Sequence, residues 1–335
     1  MTPMIRIRSA GPHTSVQDKG RAGYQGLGVP EGGALDQEAL LLGNALVGNS
    51  ADAAGLEICL GGVGIELLSP CRVALTGTTG GVMTVQDETG QVLDVPSNRS
   101  VDLSAGRVIR LGILPDTNTA TLAFAGGIDV APLFGSMATS PSAGIGGMEG
   151  RLLRDGDILP LKPSETAGAP EWISEYRLSP RASIRCVPGP QDDRFTDAAM
   201  KTFFGEMFEV SPVLNRMGMR LDGPQLMHLD TADILSDGIV TGSVQVPGEG
   251  KPIILLADHQ TTGGYTKIAT VISADLPSLA RLKPGQKIRF EAVSVAEAEA
   301  LARAGAQQLE RAITSFRPAP PLMDQGALYQ LGDTT

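Results

Sequence analysis

Residues 255–264 read LLADHQTTGG, and residues 73–81 read VALTGTTGG. Each is an apolar run that stops on Thr-Thr-Gly-Gly. Downstream of the first copy lies LSAGRVIRL (103–111), and downstream of the second lies LKPGQKIRF (282–290). Both have Leu, two residues, Gly, and shortly afterwards Ile-Arg and an apolar residue. Upstream, VQDKGR (16–21) is echoed by PQDDR (190–194). One such match is chance; three in the same order predict a duplicated β-rich domain. On turn chemistry, Thr-Thr-Gly-Gly reads as a hairpin turn, with glycines supplying positive φ and threonines adding local hydrogen bonds. The two copies differ in what comes before it: only the second has Asp258-His259-Gln260.

Working outward, most apolar segments are short and β-like: MIRIR (4–8), LEICL (56–60), RVALT (72–76), RVIRLGI (107–113), SIRCV (183–187), PIILLA (252–257), KIATVI (267–272) and KIRFEAV (287–293). They are bounded by Gly, Pro, Asp or Ser, and the alternation in IRIR and KIRF predicts strands with one wet face. Three helices are expected. Asp36 caps QEALLLGNALV, which Gly48 and Asn49 end; Thr196 starts TDAAMKTFF; a capping box from Ser294 to Glu297 opens a helix running towards Phe316, with Leu301, Leu309 and Ile313 close to one face. The stretch 161–180, rich in Thr, Ser, Pro and Gly, reads as a connector. The expected organisation is a first β domain over 1–165, a second over 180–295, and a helix with a loose tail over 296–335. A cleft between two such domains is where a ligand is expected.

Composition sets limits. The chain has 335 residues, 42% apolar and 19% charged, as in an ordinary globular protein. Its net charge is −10, with no basic cluster, so a nucleic-acid partner is not expected. No apolar run approaches a membrane span, and the start MTPMIRIRSAGPH lacks the apolar core of a signal peptide. Cys59, Cys71 and Cys186 are odd in number and sit among apolar residues, which reads as free thiols in a reducing cytoplasm. There is no P-loop and no G-x-S-x-G elbow, and His13, His228 and His259 show no metal-ligand spacing. AMKT (199–202) lacks the glycine-flanked hairpin of a biotin-attachment site and reads as amphipathic helix.

The candidate site residues fall in three polar segments. TSVQDKGRAGYQGLGVPEGGALD (14–36) holds Gln17, Asp18 and Arg21 in a glycine-rich stretch. It is either an ordered surface loop with an Asp18–Arg21 ion pair or a binding loop. VSPVLNRMGMRLDG (210–223) offers Asn215 and Arg216; the planar guanidinium either pairs with an acid or holds a carboxylate or phosphate. Gln245 lies on a short strand. In LLADHQTTGGY, Asp258 is a candidate base or orienter of His259, and Gln260, Thr261, Thr262 and Tyr265 are candidates to bond a polar ligand.

These segments, together with NALVGN (44–49), LEICLGG (56–62), FAGGIDVAPLFGS (124–136), GIGGMEGRLLRDGD (144–157), NRMGMRL (215–221) and the run 239–276, resemble the carboxyltransferase-type family along about residues 5–300. That family, also called allophanate hydrolase subunit 2, includes the C-type subunit of 5-oxoprolinase, the KipA-type proteins and the carboxyltransferase region of urea carboxylase. Met137 stands where the family often has a basic or polar residue. The resemblance implies a mainly β fold of two tandem cyclophilin-like barrel domains with a few peripheral helices. It also implies a partner, the B-type (KipI-like) subunit, and, in the 5-oxoprolinase system, an A-type lactam-utilisation subunit; a homo-oligomer is a further expectation. The activity it points to first is ATP-dependent opening of 5-oxo-L-proline to L-glutamate. There, Asp258 and His259 would handle protons and Arg216 would stabilise negative charge. Gln17, Asp18, Arg21, Asn215, Gln245, Gln260, Thr261, Thr262 and Tyr265 would bind substrate. Two alternatives stand beside it: biotin-dependent carboxyl transfer to urea or a similar amide, with biotin carried by another polypeptide, and a KipA-type regulatory protein without turnover.

Overall fold

The computed structural model describes residues 2–165, 168–173, 176 and 181–322. Parts of the expected connector and most of the expected loose tail lie outside them.

The fold is mainly β with four α-helices among the described residues. The first half stacks two sheets. One has six strands, in the order Ile158–Pro160, Met4–Ala10, Gly61–Leu67, Val108–Ile113, Val82–Gln86 and Val92–Pro96. The other has seven, in the order His13–Gln17, Gly55–Cys59, Thr119–Phe124, Cys71–Thr76, Arg99–Leu103, Glu171–Trp172 and Arg317–Pro318. Period-two alternation explains why they stack. Ile5 and Ile7 are fully buried, whereas Arg6 and Arg8 both reach Glu66 on the wet face. Ile5, Ile7, Leu56, Ile58, Ile65 and Val85 share the core between the sheets.

The second half closes on itself. Its barrel runs Ser183–Pro188, Lys267–Val271, Ser243–Gln245, Ile253–Leu255, Gly218–Asp222, Phe208–Leu214 and Lys287–Ala292. The last strand returns to the first in parallel, Ser183 opposite Arg289. Phe203, Phe208 and Phe290 fill one end of this separate core, with Phe203 and Phe290 stacked 4.3 Å apart.

Helix α1 (Gln37–Leu46) starts where Asp36 Oδ1 accepts the Ala39 N–H. Helix α2 (Asp197–Gly205) has Thr196 as its cap. Helix α3 (Leu276–Arg281) is short and buried, and carries no periodic signal in six residues. Helix α4 (Val295–Thr314) opens on the full Ser294–Glu297 capping box. It runs back to the first half, where Leu309, Ala312 and Ile313 pack with Leu42 and Leu46 of α1. Arg317–Pro318 then adds an edge strand to the seven-stranded sheet, through Trp172 opposite Arg317. The segment after residue 315 is therefore tied down at its start.

The repeats have unequal meaning. Leu103 and Leu282 are both buried, and Gly106 and Gly285 both turn the chain at φ of +82° and +87° before a strand. That pair is equivalent in structure. Thr-Thr-Gly-Gly is not the expected hairpin turn in either copy. The first joins a strand of one sheet to a strand of the other; in the second, Thr262–Tyr265 is itself a strand, paired with Asp233–Gly238 in a small ribbon. None of the four glycines has positive φ. Gly263 answers to close packing instead: a Cβ there would lie 2.6 Å from Ile239 Cδ1 and 2.8 Å from Gln245 Nε2.

Candidate functional site

Strand His13–Gln17 sends Val16 into the core of the first half, so His13, Ser15 and Gln17 face the other way. On the next strand Glu57 lies opposite Ser15, and Cys59 opposite His13. This polar face meets the second half. Gln17 Nε2 donates to Ser15 Oγ and to the Thr139 carbonyl, both at 2.9 Å, and Gln17 Oε1 is buried with no partner.

The glycine-rich loop that follows is folded on itself by its backbone. Arg21 N donates to Glu31 O, Ala34 N to Asp18 O, and Gly32 N to Ala257 O of the second half. Asp18 does not pair with Arg21 as a surface ion pair. Its carboxylate accepts from Gly20 N, Ser136 Oγ and Met137 N, and so fixes the 136–138 segment. Arg21 is 1% exposed and donates Nη2 to the Ala138 carbonyl, while its Nε and Nη1 are buried without a partner. Burial pushes the Arg21 guanidinium below its ordinary value, against the opposing pull of Asp18 and Asp258.

Arg216 is wired differently. It donates Nε and Nη2 to the two oxygens of Asp258, each at 2.9 Å, Nη1 to Glu57 Oε1, and Nη2 also to the Gly33 carbonyl at 2.7 Å. Glu57 Oε2 accepts from Leu35 N at 2.6 Å. Although burial alone would push Arg216 down, Glu57 and Asp258 hold it firmly charged. The arginine comes from the second half; Glu57 and Gly33 come from the first. A second clamp crosses the same seam where Arg281 of α3 meets Asp36 in a bidentate pair and Glu38 at 2.7 Å.

This corrects two expectations. Arg216 does not face a ligand: four of its N–H bonds are made within the protein. Asp258 does not hydrogen-bond His259: both of its oxygens accept from Arg216. His259 is fully buried, and its Nδ1 meets the Gln260 carbonyl at 2.6 Å. That oxygen only accepts, so Nδ1 carries the proton. His259 Nε2 has no partner, nor does Nε2 of Gln245, which is 2% exposed.

The remaining candidates are not brought together. Asn215 is exposed and its Oδ1 closes its own turn onto Met217 N and Gly218 N. Gln260 is exposed, although its Nε2 and that of Gln245 both lie near Gly263. Thr261 is half-buried and Thr262 exposed, at the start of the ribbon. Tyr265 lies at its far end, 42% exposed, beside a different cavity that Met227 and Asp230 line. Glu57, His13 and Arg281 are residues of this seam that reading motifs missed. Only the alternation around Glu57, an acid inside the apolar LEICL, carried a signal.

Between the halves lies a cavity of 280 Å³, lined by Lys19, Gly32 and Leu35 on one side and Thr241, Leu256 and Ala257 on the other. Among the described residues no group of His, Cys, Asp or Glu could hold a metal ion, and no helix is long and apolar enough to cross a membrane.

Residues 27–292 match the profile of the carboxyltransferase domain, subdomains A and B. The chain belongs to this carboxyltransferase family. It is 40% identical to the C-type subunit of 5-oxoprolinase from Escherichia coli over 296 residues, 88% of this chain and 93% of that protein. It is 35% identical to the corresponding 5-oxoprolinase protein of Haemophilus influenzae, over 90% of this chain and 94% of the relative. Among solved structures, the urea amidolyase of K. lactis superposes with a TM-score of 0.84 at 26% identity. That match covers 97% of this chain and 21% of the larger protein. The relatives thus include both 5-oxoprolinase and urea amidolyase proteins, and this chain is similar to both.

Proposed function

We propose that this chain acts as the C-type subunit of an ATP-dependent 5-oxoprolinase, at a site shared with a B-type subunit, in a complex that also holds an A-type subunit. The observation that carries this is 40% identity running across 93% of a 5-oxoprolinase protein of the C type. The chemistry is consistent with the seam. A lactam carbonyl is a poor electrophile and its ring opening is uphill, so the reaction is coupled to ATP. No P-loop is present in the sequence, and the triphosphate is assigned to the assembled complex rather than to a cradle on this chain. What this chain supplies is a set of buried, unpartnered polar atoms on Gln17, Arg21, Gln245 and His259. The N–H groups of Arg21 and Gln245 are donors, and Gln17 Oε1 and His259 Nε2 are acceptors; a donor such as Gln245 Nε2, held in a low-dielectric seam, stabilises developing negative charge strongly. His259 Nε2, with the ring proton fixed on Nδ1, is the group suited to accept a proton. Asp258 and Arg216 act as positioning residues: they hold the turn that carries His259 against the first half.

A second reading rests on the fit to urea amidolyase, with a TM-score of 0.84: carboxyl transfer to a small amide, with biotin carried on another polypeptide. One experiment separates the two. The chain is co-expressed with its B- and A-type partners, and 5-oxoproline-dependent ATP hydrolysis is measured with and without avidin. Avidin-resistant turnover is expected. Absence of turnover sinks the first reading, and avidin-sensitive turnover of urea or a related amide establishes the second.

A further inference from the structure

Among the described residues, Arg21 is the buried charged side chain with the most donor atoms left unpartnered. It is 1% exposed and makes one hydrogen bond, to Ala138 O, with Nε and Nη1 left over. A buried guanidinium in that state is costly, and an oxyanion is the ligand that offsets it best, through a charge-assisted hydrogen bond. Its surroundings are kept small. A Cβ at Gly32 would lie 2.9 Å from Arg21 Nη1, and one at Gly146 2.7 Å from Nη2. Both glycines have positive φ, +63° and +73°, and Gly32 is also part of the wall of the cavity between the halves. Gln17 holds the neighbouring carbonyl, Thr139 O, with its Nε2, and keeps its buried Oε1 as a free acceptor. Two adjacent carbonyls of one segment therefore anchor a spare pair of donors and a spare acceptor.

We propose that Arg21 and Gln17 recognise the amino-acid edge of the substrate: the carboxylate on the free N–H of Arg21 Nη1, which lies beside Gly32 of the cavity wall, and the adjacent ring N–H on Gln17 Oε1. This rests on the 5-oxoprolinase reading and deepens it. In 5-oxoproline the carboxylate and the ring N–H are attached to the same carbon, which matches a charged donor beside an acceptor. Specificity for the acid over a neutral lactam then comes from Arg21. A neutral lactam would leave that guanidinium buried and unpaired.

The test compares wild type with Arg21→Gln and Arg21→Lys in the complex with the partner subunits, using 5-oxoproline and 2-pyrrolidinone, the same ring without the carboxylate. Arg21→Gln is expected to raise KM for 5-oxoproline by about tenfold to a hundredfold, the loss of a charge-assisted hydrogen bond. The KM for 2-pyrrolidinone should rise by less than that, and Arg21→Lys should recover part of the loss. Equal effects on both lactams, or none on either, overturn the assignment while leaving the 5-oxoprolinase reading standing. An inactive wild-type complex sinks that reading instead. The anchor is then decided on the purified chain by thermal unfolding with 5-oxoproline, acetate or inorganic phosphate. Stabilisation by the carboxylates that Arg21→Gln abolishes supports the anchor. A response to phosphate alone, or to no anion, overturns it. Unfolding without ligand is the control for a structural role: Arg21→Gln should hold or raise the midpoint, and a large drop counts against the proposal.

Discussion

Arg21 and Arg216 are both arginines buried in one seam, 1% and 3% exposed, and they are wired in opposite ways. Arg216 gives four N–H bonds to Asp258, Glu57 and Gly33. Arg21 gives one, to Ala138. The difference teaches how to tell a clamp from a site. A buried charge whose partners all lie in the protein has its work done by folding. A buried charge with donors to spare raises the free energy of the fold until something arrives to use them.

The largest effect that can break this comparison is at Arg216. Arg216→Ala would leave Glu57 and Asp258 buried without their cation, and removing one partner of a buried pair costs about 3–5 kcal/mol. Denaturant unfolding should show that loss. It should be larger than for Glu57→Gln, which leaves the Asp258 pair in place. An unfolding midpoint unchanged in Arg216→Ala would mean that the clamp does not hold the two halves together. The same logic applies to the Arg281–Asp36 pair, which crosses the same seam.

The next effect is at Asp258, where a proton-carrying role and a clamping role give competing expectations. A proton carrier would lose turnover in Asp258→Asn with its stability intact. A clamp loses stability in both variants, because Asn can accept at one oxygen only and Ala at none. The expected loss is about 1–3 kcal/mol, rising from Asn to Ala, the range for a buried group left unsatisfied. Activity of the complex should fall in the same order. Denaturant unfolding and turnover measured side by side decide it. Asp258→Asn with full stability and no turnover would falsify the clamp.

How much of this could be read in the sequence depends on the reach of each interaction. The strands around Ile5, Val73 and Phe290, and the caps Asp36, Thr196 and Ser294, are local: alternation and capping act within a few residues, and these elements lie where the pattern put them. Helix α3 was missed because six residues hold no periodicity. The Thr-Thr-Gly-Gly pair misled because glycine has two uses. Gly263 spares space for Gln245 and Ile239 instead of turning the chain. The buried members of the candidate set that did gather on the seam, Arg21, Arg216, Asp258 and His259 among them, were visible as residue types. Their partners were not. Glu57 is 159 positions from Arg216 and Asp36 is 245 from Arg281; nothing local marks such pairs. The spare donors of Arg21 were also invisible, since a missing partner is a property of the folded seam alone.

The smallest effect is a pH dependence that weighs the field of the Arg216 clamp. His13 faces the seam with Nε2 buried and unpartnered. Burial, then the charge of Arg216, push its pKa below 6.5, and Asp258 pulls the other way. His228, against Phe195, is also lowered, chiefly by burial. A histidine whose folded pKa is depressed binds fewer protons folded than unfolded. Its contribution is intact above pH 6.5, where both states are neutral, and is lost as pH falls from 6.5 through the folded value. One such group contributes at most about 1.4 kcal/mol per pH unit. Unfolding free energies between pH 7 and pH 5 should therefore decline with a slope that His13→Gln makes shallower, with the remainder belonging in part to His228. Combining His13→Gln with Arg216→Met sharpens the comparison. With the cation gone, burial still lowers His13 but Asp258 offsets more of it, so the same substitution should then remove less of the slope. An unchanged contribution from His13 in that background would mean that the clamp's charge does not reach across the seam.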